Sequence, residues 1–435
     1  MIKYIIILLI STFPIVSFSQ LTFSYEEYIS EVLAKDFGIL MMKNEQQIAA
    51  NENNIGAAGY LPRISMDARQ DFTVNSARQE FLGGQTNEAD NAQNRAFDVG
   101  GLLEWTFFDG FKMFATDKKL NHLEETAQLN TRAEIEFKIY EASIQFYTYL
   151  LLKEMQSTYE TAVDLSKLRF EDMQNKFENG VATKVELLQS ELDLTADSSA
   201  LLLNQKELRN IKIQLAKMIT LPLDEEFSVN GQLPESISPI AWEDILDQAN
   251  EKNTNLLLAK SALAVRESEK KEALSRFYPQ LGFYAAYNLN TAQNEVGFLL
   301  SNRVYGPSVG LTLRWDILDQ LSRFQELKNA KIHIENAELG LKEQQLFISS
   351  ELKKAFNEFE WASKTLSFEL RNKVSTNNIV EIAKVSLDAG TITALELREI
   401  QFSLIEAQRR ILSTQLDYVT AKLNLDLQTG KWSVL

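Results

Sequence analysis

Two hydrophobic periods divide this chain. Over 64–75, ISMDARQDFTVN, apolar and polar residues alternate. Ile64, Met66, Ala68, Phe72 and Val74 share one face; Ser65, Asp67, Arg69, Asp71, Thr73 and Asn75 share the other. The same period sets Phe97, Val99, Leu103, Trp105 and Phe107 against Asp98, Gly100, Glu104 and Thr106. It recurs in Leu281, Phe283, Ala285, Tyr287 and Leu289, and in Val309, Leu311, Leu313, Trp315 and Ile317. A period of two predicts β-strands, here at about 63–75, 97–108, 280–290 and 305–317. Each is about the ten residues that a tilted strand needs to cross a bilayer. An ordinary sheet packed on a core would alternate too, but two features favour lipid. The polar faces carry full charges (Asp67, Arg69, Arg314, Asp316), which a water-filled interior accommodates. The apolar faces end in Tyr60, Trp105, Phe107, Phe277, Tyr278 and Trp315, as interfacial aromatic belts do. Four strands cannot close a membrane barrel, and lipid does not tolerate open edges. Several chains must then share one barrel.

Elsewhere the period is helical. No proline occurs between Pro62 and Pro222 or after Pro307, which leaves room for very long helices. From about Gly110 to Asn179 nothing interrupts the pattern, predicting a rod of ~100 Å. Beyond it Leu187, Leu194, Leu201, Leu208 and Leu215 recur every seven residues, as do Leu397, Leu404, Ile411, Tyr418 and Leu425. That repeat predicts coiled-coil packing, each long helix folding back as an antiparallel hairpin. The tips, about 178–184 and 388–394, lie in FENGVATKVELLQ and LDAGTITALELRE. Gly180 and Gly390 suit the left-handed residue that ends a helix. Thr183 with Glu186, and Thr393 with Glu396, form the T-x-x-E box that starts the next. Local capping alone accounts for these residues; a further role for the glutamates is left open.

The chain also repeats itself. Trp105 and Trp315, Asp109 and Asp319, Phe146 and Phe356, and Gly180 and Gly390 each lie 210 residues apart, whereas Pro62 and Pro279 lie 217 apart. SYEEYI at 24–29 likewise resembles AWEDIL at 241–246. The first copy therefore carries extra residues between its Pro and its Trp, as an exposed loop tolerates. The predicted organisation is a leader at 1–19, a first repeat at 20–221, a connector at 222–240 and a second repeat at 241–435. MIKYIIILLISTFPIVSFSQ has the short apolar core and small residues of a cleaved secretory signal.

Composition narrows the function. The net charge of −16 argues against a nucleic-acid partner. With no cysteine, the chain has neither a disulfide framework nor a lipoprotein anchor residue. His122 and His333 stand on predicted helices without metal-ligand spacing. Gly83-Gly84 lies in a strand-connecting loop, not before a helix. The residues suggest no enzyme and no cofactor.

In combination, these features resemble the TolC-like outer-membrane factors, the exit ducts of Gram-negative efflux pumps and type I secretion systems. The resemblance spans essentially the whole chain after the leader. It rests on the duplication, the Tyr60-x-Pro62 and Phe277-x-Pro279 strand starts, the W-x-x-x-D junctions and the paired G-x-x-T-x-x-E tips. It implies a mainly α protein with membrane β-structure: a homotrimer whose twelve-stranded outer-membrane β-barrel is continuous with a long periplasmic coiled-coil barrel. The 222–239 stretch matches the family's equatorial connector. The implied role is passive exit of small molecules from periplasm to exterior. The implied partners are outer-membrane lipid, a periplasmic adaptor of the membrane fusion protein type, and an inner-membrane pump of the RND or ABC type. Gly180, Val181, Thr183, Gly390, Thr391 and Thr393 occupy the matching adaptor-contact positions. Glu396 and Glu399, with Glu186 in the first copy, match the pore constriction, where carboxylate rings attract cations. A basic residue often follows the second tip glycine in the family, and here the position is Ile392. The alternatives are type I protein secretion and, more remotely, a secreted structural coiled coil.

Overall fold

A computed structural model describes residues 21–297, 299–388 and 391–432. The predicted leader, 1–19, and Gly390 lie outside the described residues. The first repeat runs β1 (Leu21–Phe23), α1 (Tyr25–Lys35), α2 (Phe37–Glu52), β2 (Arg63–Glu80), β3 (Thr86–Phe108), α3 (Lys112–Glu178) and α4 (Lys184–Met218). After β4 (Phe227–Val229), the second runs α5 (Trp242–Lys252), α6 (Thr254–Ser275), β5 (Gln280–Asn294), β6 (Ser301–Arg314), α7 (Ser322–Asp388) and α8 (Ala394–Gln428). The two long helices α3 and α7 are both 67 residues, and α4 and α8 are both 35. Among the described residues no helix is long and apolar enough to cross a membrane.

Contacts divide the chain into two units. One comprises Met41–Glu134 and Asn250–Ser350. Its sheet has the order β2-β3-β5-β6, antiparallel throughout. The ladder extends past the alternating segments, to Glu80 on β2, from Thr86 on β3 and to Asn294 on β5. β6 starts earlier than its pattern, at Ser301, and stops at Arg314, so Trp315 and Ile317 fall outside the strand. As an edge strand with one partner, β6 lacks the second ladder that carries β3 on to Phe108. In the helical part of this unit Thr254, Ser261, Ser268 and Ser275 are buried at seven-residue intervals along α6. Such small residues allow close helix approach: Ser261 Oγ lies 2.8 Å from Thr126 Oγ1 and donates to the His122 carbonyl. Lys119 and Thr116 both bond Glu272, at 2.6 and 2.7 Å.

The other unit takes residues up to Leu40, Ile135–Ala249 and those from Glu351 onward. It holds two hydrophobic cores. Tyr28, Phe146, Leu215 and Phe227 belong to the first; Ile245, Leu352, Phe359 and Tyr418 belong to the second. The duplication is visible in the contacts themselves. Tyr25 meets Phe146 at 5.4 Å between ring centres, and the equivalent Trp242 meets Phe356 at 5.4 Å. The connector is fastened here, with β4 pairing in parallel with β1 and Gln415 donating to the Pro234 carbonyl.

Candidate functional site

Paired residues in a sheet share a face, so the register defines two surfaces. On one, the rows Trp105–Phe283–Leu311, Ile64–Leu103–Ala285–Val309, Met66–Gly101–Tyr287–Pro307 and Ala68–Val99–Leu289–Tyr305 are almost wholly apolar. On β5 this band runs from Leu281 to Leu289, about 20 Å of height for a strand tilted as in outer-membrane barrels. The opposite surface carries Asp67–Gly100–Asn288–Gly306 and Arg69–Asp98–Asn290–Val304. Ile64, Met66, Val309 and Leu311 on the apolar surface stand exposed. An apolar outside and a polar inside is the arrangement of a membrane barrel wall, not of a sheet on a core.

At the junctions from strand to helix the two repeats match bond for bond. Trp105 Nε1 donates to the Tyr60 carbonyl at 3.0 Å, and Trp315 Nε1 to the Phe277 carbonyl at 3.3 Å. Tyr60 packs edge-on against Phe114, as Phe277 does against Phe324. Asp109 accepts from the Met113 amide and Asp319 from the Arg323 amide, capping α3 and α7. Two successive left-handed residues make each corner: Gly110 and Phe111, then Gln320 and Leu321. A side chain at Gly110 would meet the Ser275 carbonyl at 2.4 Å, so only the first corner demands glycine. At Phe107 a β-bulge keeps its ring against Trp105 while Phe108 resumes pairing with Leu281.

The capping boxes predicted at the two hairpin tips are both formed. Gly180 is left-handed (φ 71°), and the Val181 amide reaches back to the Lys176 carbonyl at 2.8 Å. The second tip has the equivalent bond, from the Thr391 amide to the Ser386 carbonyl. Glu186 Oε2 accepts from the Thr183 amide at 2.7 Å and from its hydroxyl at 2.8 Å; Glu396 does the same with Thr393 at 2.7 and 2.9 Å. The backbone amide first, then the hydroxyl, hold both carboxyls below the usual carboxylate range. Their stabilisation is therefore present above the ordinary pKa of ~4.3 and is lost as pH falls through the lower folded value. Thr183→Ala or Thr393→Ala should each cost about 1 kcal/mol of helix-end stability. Faster amide exchange in the first turn of α4 or α8 would report it, and acid should produce the same loosening in the unaltered chain.

Above the first tip lies a cluster that sequence reasoning passed over. Arg398 of α8 forks onto Asp197 of α4, with Nη1 and Nη2 at 2.8 and 3.0 Å from the two carboxylate oxygens. Ser166 of α3 donates to the same carboxylate. Asp193 lies 3.7 Å from Arg398 Nε and 3.6 Å from Arg169 Nη2. Burial pushes the Arg169 guanidinium down, whereas its bond to Asp197 pushes Arg398 up. A groove of about 290 Å³ runs beside the cluster between α3 and α8, past Thr161, Leu165, Gln401 and Leu404.

The family profile described as outer membrane efflux protein matches residues 28–220 and 245–431, one match to each repeat. The chain belongs to the outer membrane efflux protein family. Solved structures share its fold at low identity. A membrane protein from Pseudomonas aeruginosa aligns over 93% of this chain and 90% of its own, at 16% identity and TM-score 0.75. The Campylobacter jejuni CmeC outer membrane channel aligns over 93% and 85%, at 15% and 0.74. The outer membrane protein VceC of Vibrio cholerae aligns over 93% and 96%, at 14% and 0.73. No curated protein sequence shows significant similarity to the chain. This outer membrane efflux protein is a TolC-like channel component. Its family places it in the outer membrane, in efflux.

Within this efflux protein the predicted site residues fall into three places. Tyr60, Trp105, Phe107, Tyr278 and Trp315 gather at the helix-connected end of the sheet, where two of them also carry the indole bonds. Gly180, Val181, Thr183, Thr391 and Thr393 lie in the tips, with Val181 exposed. Glu186 and Glu396 are engaged in capping boxes, and Glu399 is exposed one turn further along α8. The missed cluster had a signal. Ser190, Asp197 and Asn204 also recur every seven residues, interleaved with the leucines of α4.

Proposed function

We propose that three copies of this chain close a twelve-stranded barrel and form a passive duct, docked at its tips to a periplasmic adaptor served by an inner-membrane pump. The carrying observation is the sheet. β2 pairs only with β3 and β6 only with β5 among the described residues, leaving two open edges under one continuous apolar face. Lipid forbids open edges, and threefold closure of β6 on the next copy's β2 removes them all. The exposed tip residues Gly180, Val181, Thr183, Thr391 and Thr393, with Gly390, form the adaptor contact. Glu399 is the principal acid of the constriction, with Glu396 and Glu186 beside it, their carboxylates already fixed by their own caps. Arg398 stands in for the basic residue that Ile392 replaces. It ties α8 of the second hairpin to α4 of the first, so splaying of the tips must break or carry this link. The pump sets the cargo.

The test is conductance of the purified trimer in planar bilayers. Glu399→Gln leaves both capping boxes intact, should weaken the preference for cations, and should weaken it further with Glu396→Gln. Unchanged cation preference in both would remove the constriction assignment. Absence of a trimer would remove the duct.

A further inference from the structure

The β2–β3 hairpin outgrows the rest of the sheet. Pairing of β3 with β5 ends at Asn94–Asn294, whereas β2 continues from Val74 to Glu80 against Gln93 to Thr86. This two-stranded ribbon overhangs the four-stranded wall by about 23 Å at ~3.3 Å per residue. It leaves at the sheet end opposite the helices, on the outer side. At its base Asn75 pairs with Ala92 and Ala77 with Ala89, so Ser76 opposes both Asp90 and Asn91. Asn91 is left-handed (φ 58°). Such a bulge bends a strand pair and re-aims the residues beyond it. Above it the ribbon is polar and held by Arg78 to Glu88 at 2.8 Å, until the turn FLGGQ. There Leu82 stands fully exposed, a lone apolar knob on a charged stalk. Glu295 of the β5–β6 loop braces the base by accepting from the Gln93 amide at 2.7 Å. Leu299 and Leu300 of that loop are exposed as well.

We propose that the ribbons of three copies meet across the outer mouth of the duct, their Leu82 tips forming an apolar outer closure. The inference rests on the threefold barrel proposed above. Twelve strands spaced ~4.8 Å apart and tilted ~40° enclose a radius of about 12 Å. The overhang is roughly twice that radius, so a bend at the Asn75–Ala92 bulge is enough to bring the tips to the axis. The β5–β6 hairpin has no such reach. The partners of matching chemistry within reach of the exposed Leu82 are the same leucines of the neighbouring copies. Leu299 and Leu300 would line the rim beneath.

The chain has no cysteine, so single replacements report cleanly. Trimers are first verified on native gels; if the unaltered protein forms none, the barrel reading fails and this closure with it. In intact trimers of Leu82→Cys, oxidation should yield disulfide-linked pairs of chains. Intact trimers that stay unlinked would overturn the proposal. In Asn290→Cys, on the polar face below the ribbon, a bulky maleimide applied from outside should label slowly. Adding Leu82→Asp should speed that labelling about tenfold, a barrier change of about 1.4 kcal/mol. An unaltered rate would show that the ribbons do not cover the mouth.

Discussion

Ala285→Arg is expected to abolish assembly in the outer membrane, whereas Ala286→Arg, one residue on, should leave the trimer nearly intact. The two alanines are chemically identical and differ only in face. Ala285 pairs with Leu103 and Val309 at the centre of the apolar band between Leu281 and Leu289. Ala286 pairs with Leu102 and Ser308 on the surface that also carries Asp67, Arg69 and Asp98. An arginine on the lipid face near the bilayer midplane costs about 2–4 kcal/mol, and the threefold assembly imposes that cost in every chain. On the polar face the guanidinium stays in water and has carboxylates nearby. The measurement is the yield of heat-modifiable trimer in outer-membrane fractions, with the urea midpoint of refolding into vesicles as a second readout. Equal loss from both substitutions would mean that the face assignment is wrong, and with it the lipid-exposed barrel.

That contrast was open to sequence reasoning because a period of two leaves no ambiguity about which side a residue takes. Other parts were closed to it for physical reasons. The ribbon between Ser76 and Gln93 is polar on both faces, so nothing alternates; cross-strand pairs such as Arg78 and Glu88 specify it instead, and pairing partners are invisible along one strand. The sequence suggested an interfacial place for Trp105 and Trp315, but it could not show the bond that each makes. Each indole N–H satisfies a carbonyl two residues before the strand-start proline, Pro62 or Pro279, and those carbonyls lie 45 and 38 residues away in sequence. On α4 the leucine heptad marked the seam, but nothing in it singled out Ser190, Asp197 and Asn204. They are buried in that same seam, Asn204 donating to the Leu152 carbonyl at 3.0 Å. Asp197 makes sense only with Arg398, 201 residues later. The duplication held the clue. Arg398, Asp193, Asp197 and Arg169 correspond by the 210-residue offset to Leu188, Ser403, Ala407 and Ile379. Both repeats keep the capping boxes, which each tip needs to fold; only one combination keeps the charges.

Arg398→Ala is expected to be the most damaging single change in the lower helices, by about 3–5 kcal/mol. The pair belongs with buried ion pairs, because the Arg398 and Asp197 side chains are only 14% and 12% exposed. Truncating the arginine strands the Asp197 carboxylate with the Ser166 hydroxyl, while Arg169 keeps Asp193. An uncompensated buried charge, rather than the lost bond, dominates that cost. Arg398→Leu combined with Asp197→Leu removes both charges together and should recover much of the stability, because apolar replacement of a buried pair is often neutral. A double-mutant cycle on thermal unfolding isolates the coupling between the two positions. The functional consequence separates from stability in the double variant, which is folded but untied. Its conductance in planar bilayers should exceed that of the unaltered trimer, since α8 of one hairpin no longer holds α4 of the other. If the stable double variant conducts as the unaltered trimer does, the Arg398–Asp197 link is a packing device, and control of the tips lies elsewhere. If Arg398→Ala leaves unfolding unchanged, the cluster carries neither role.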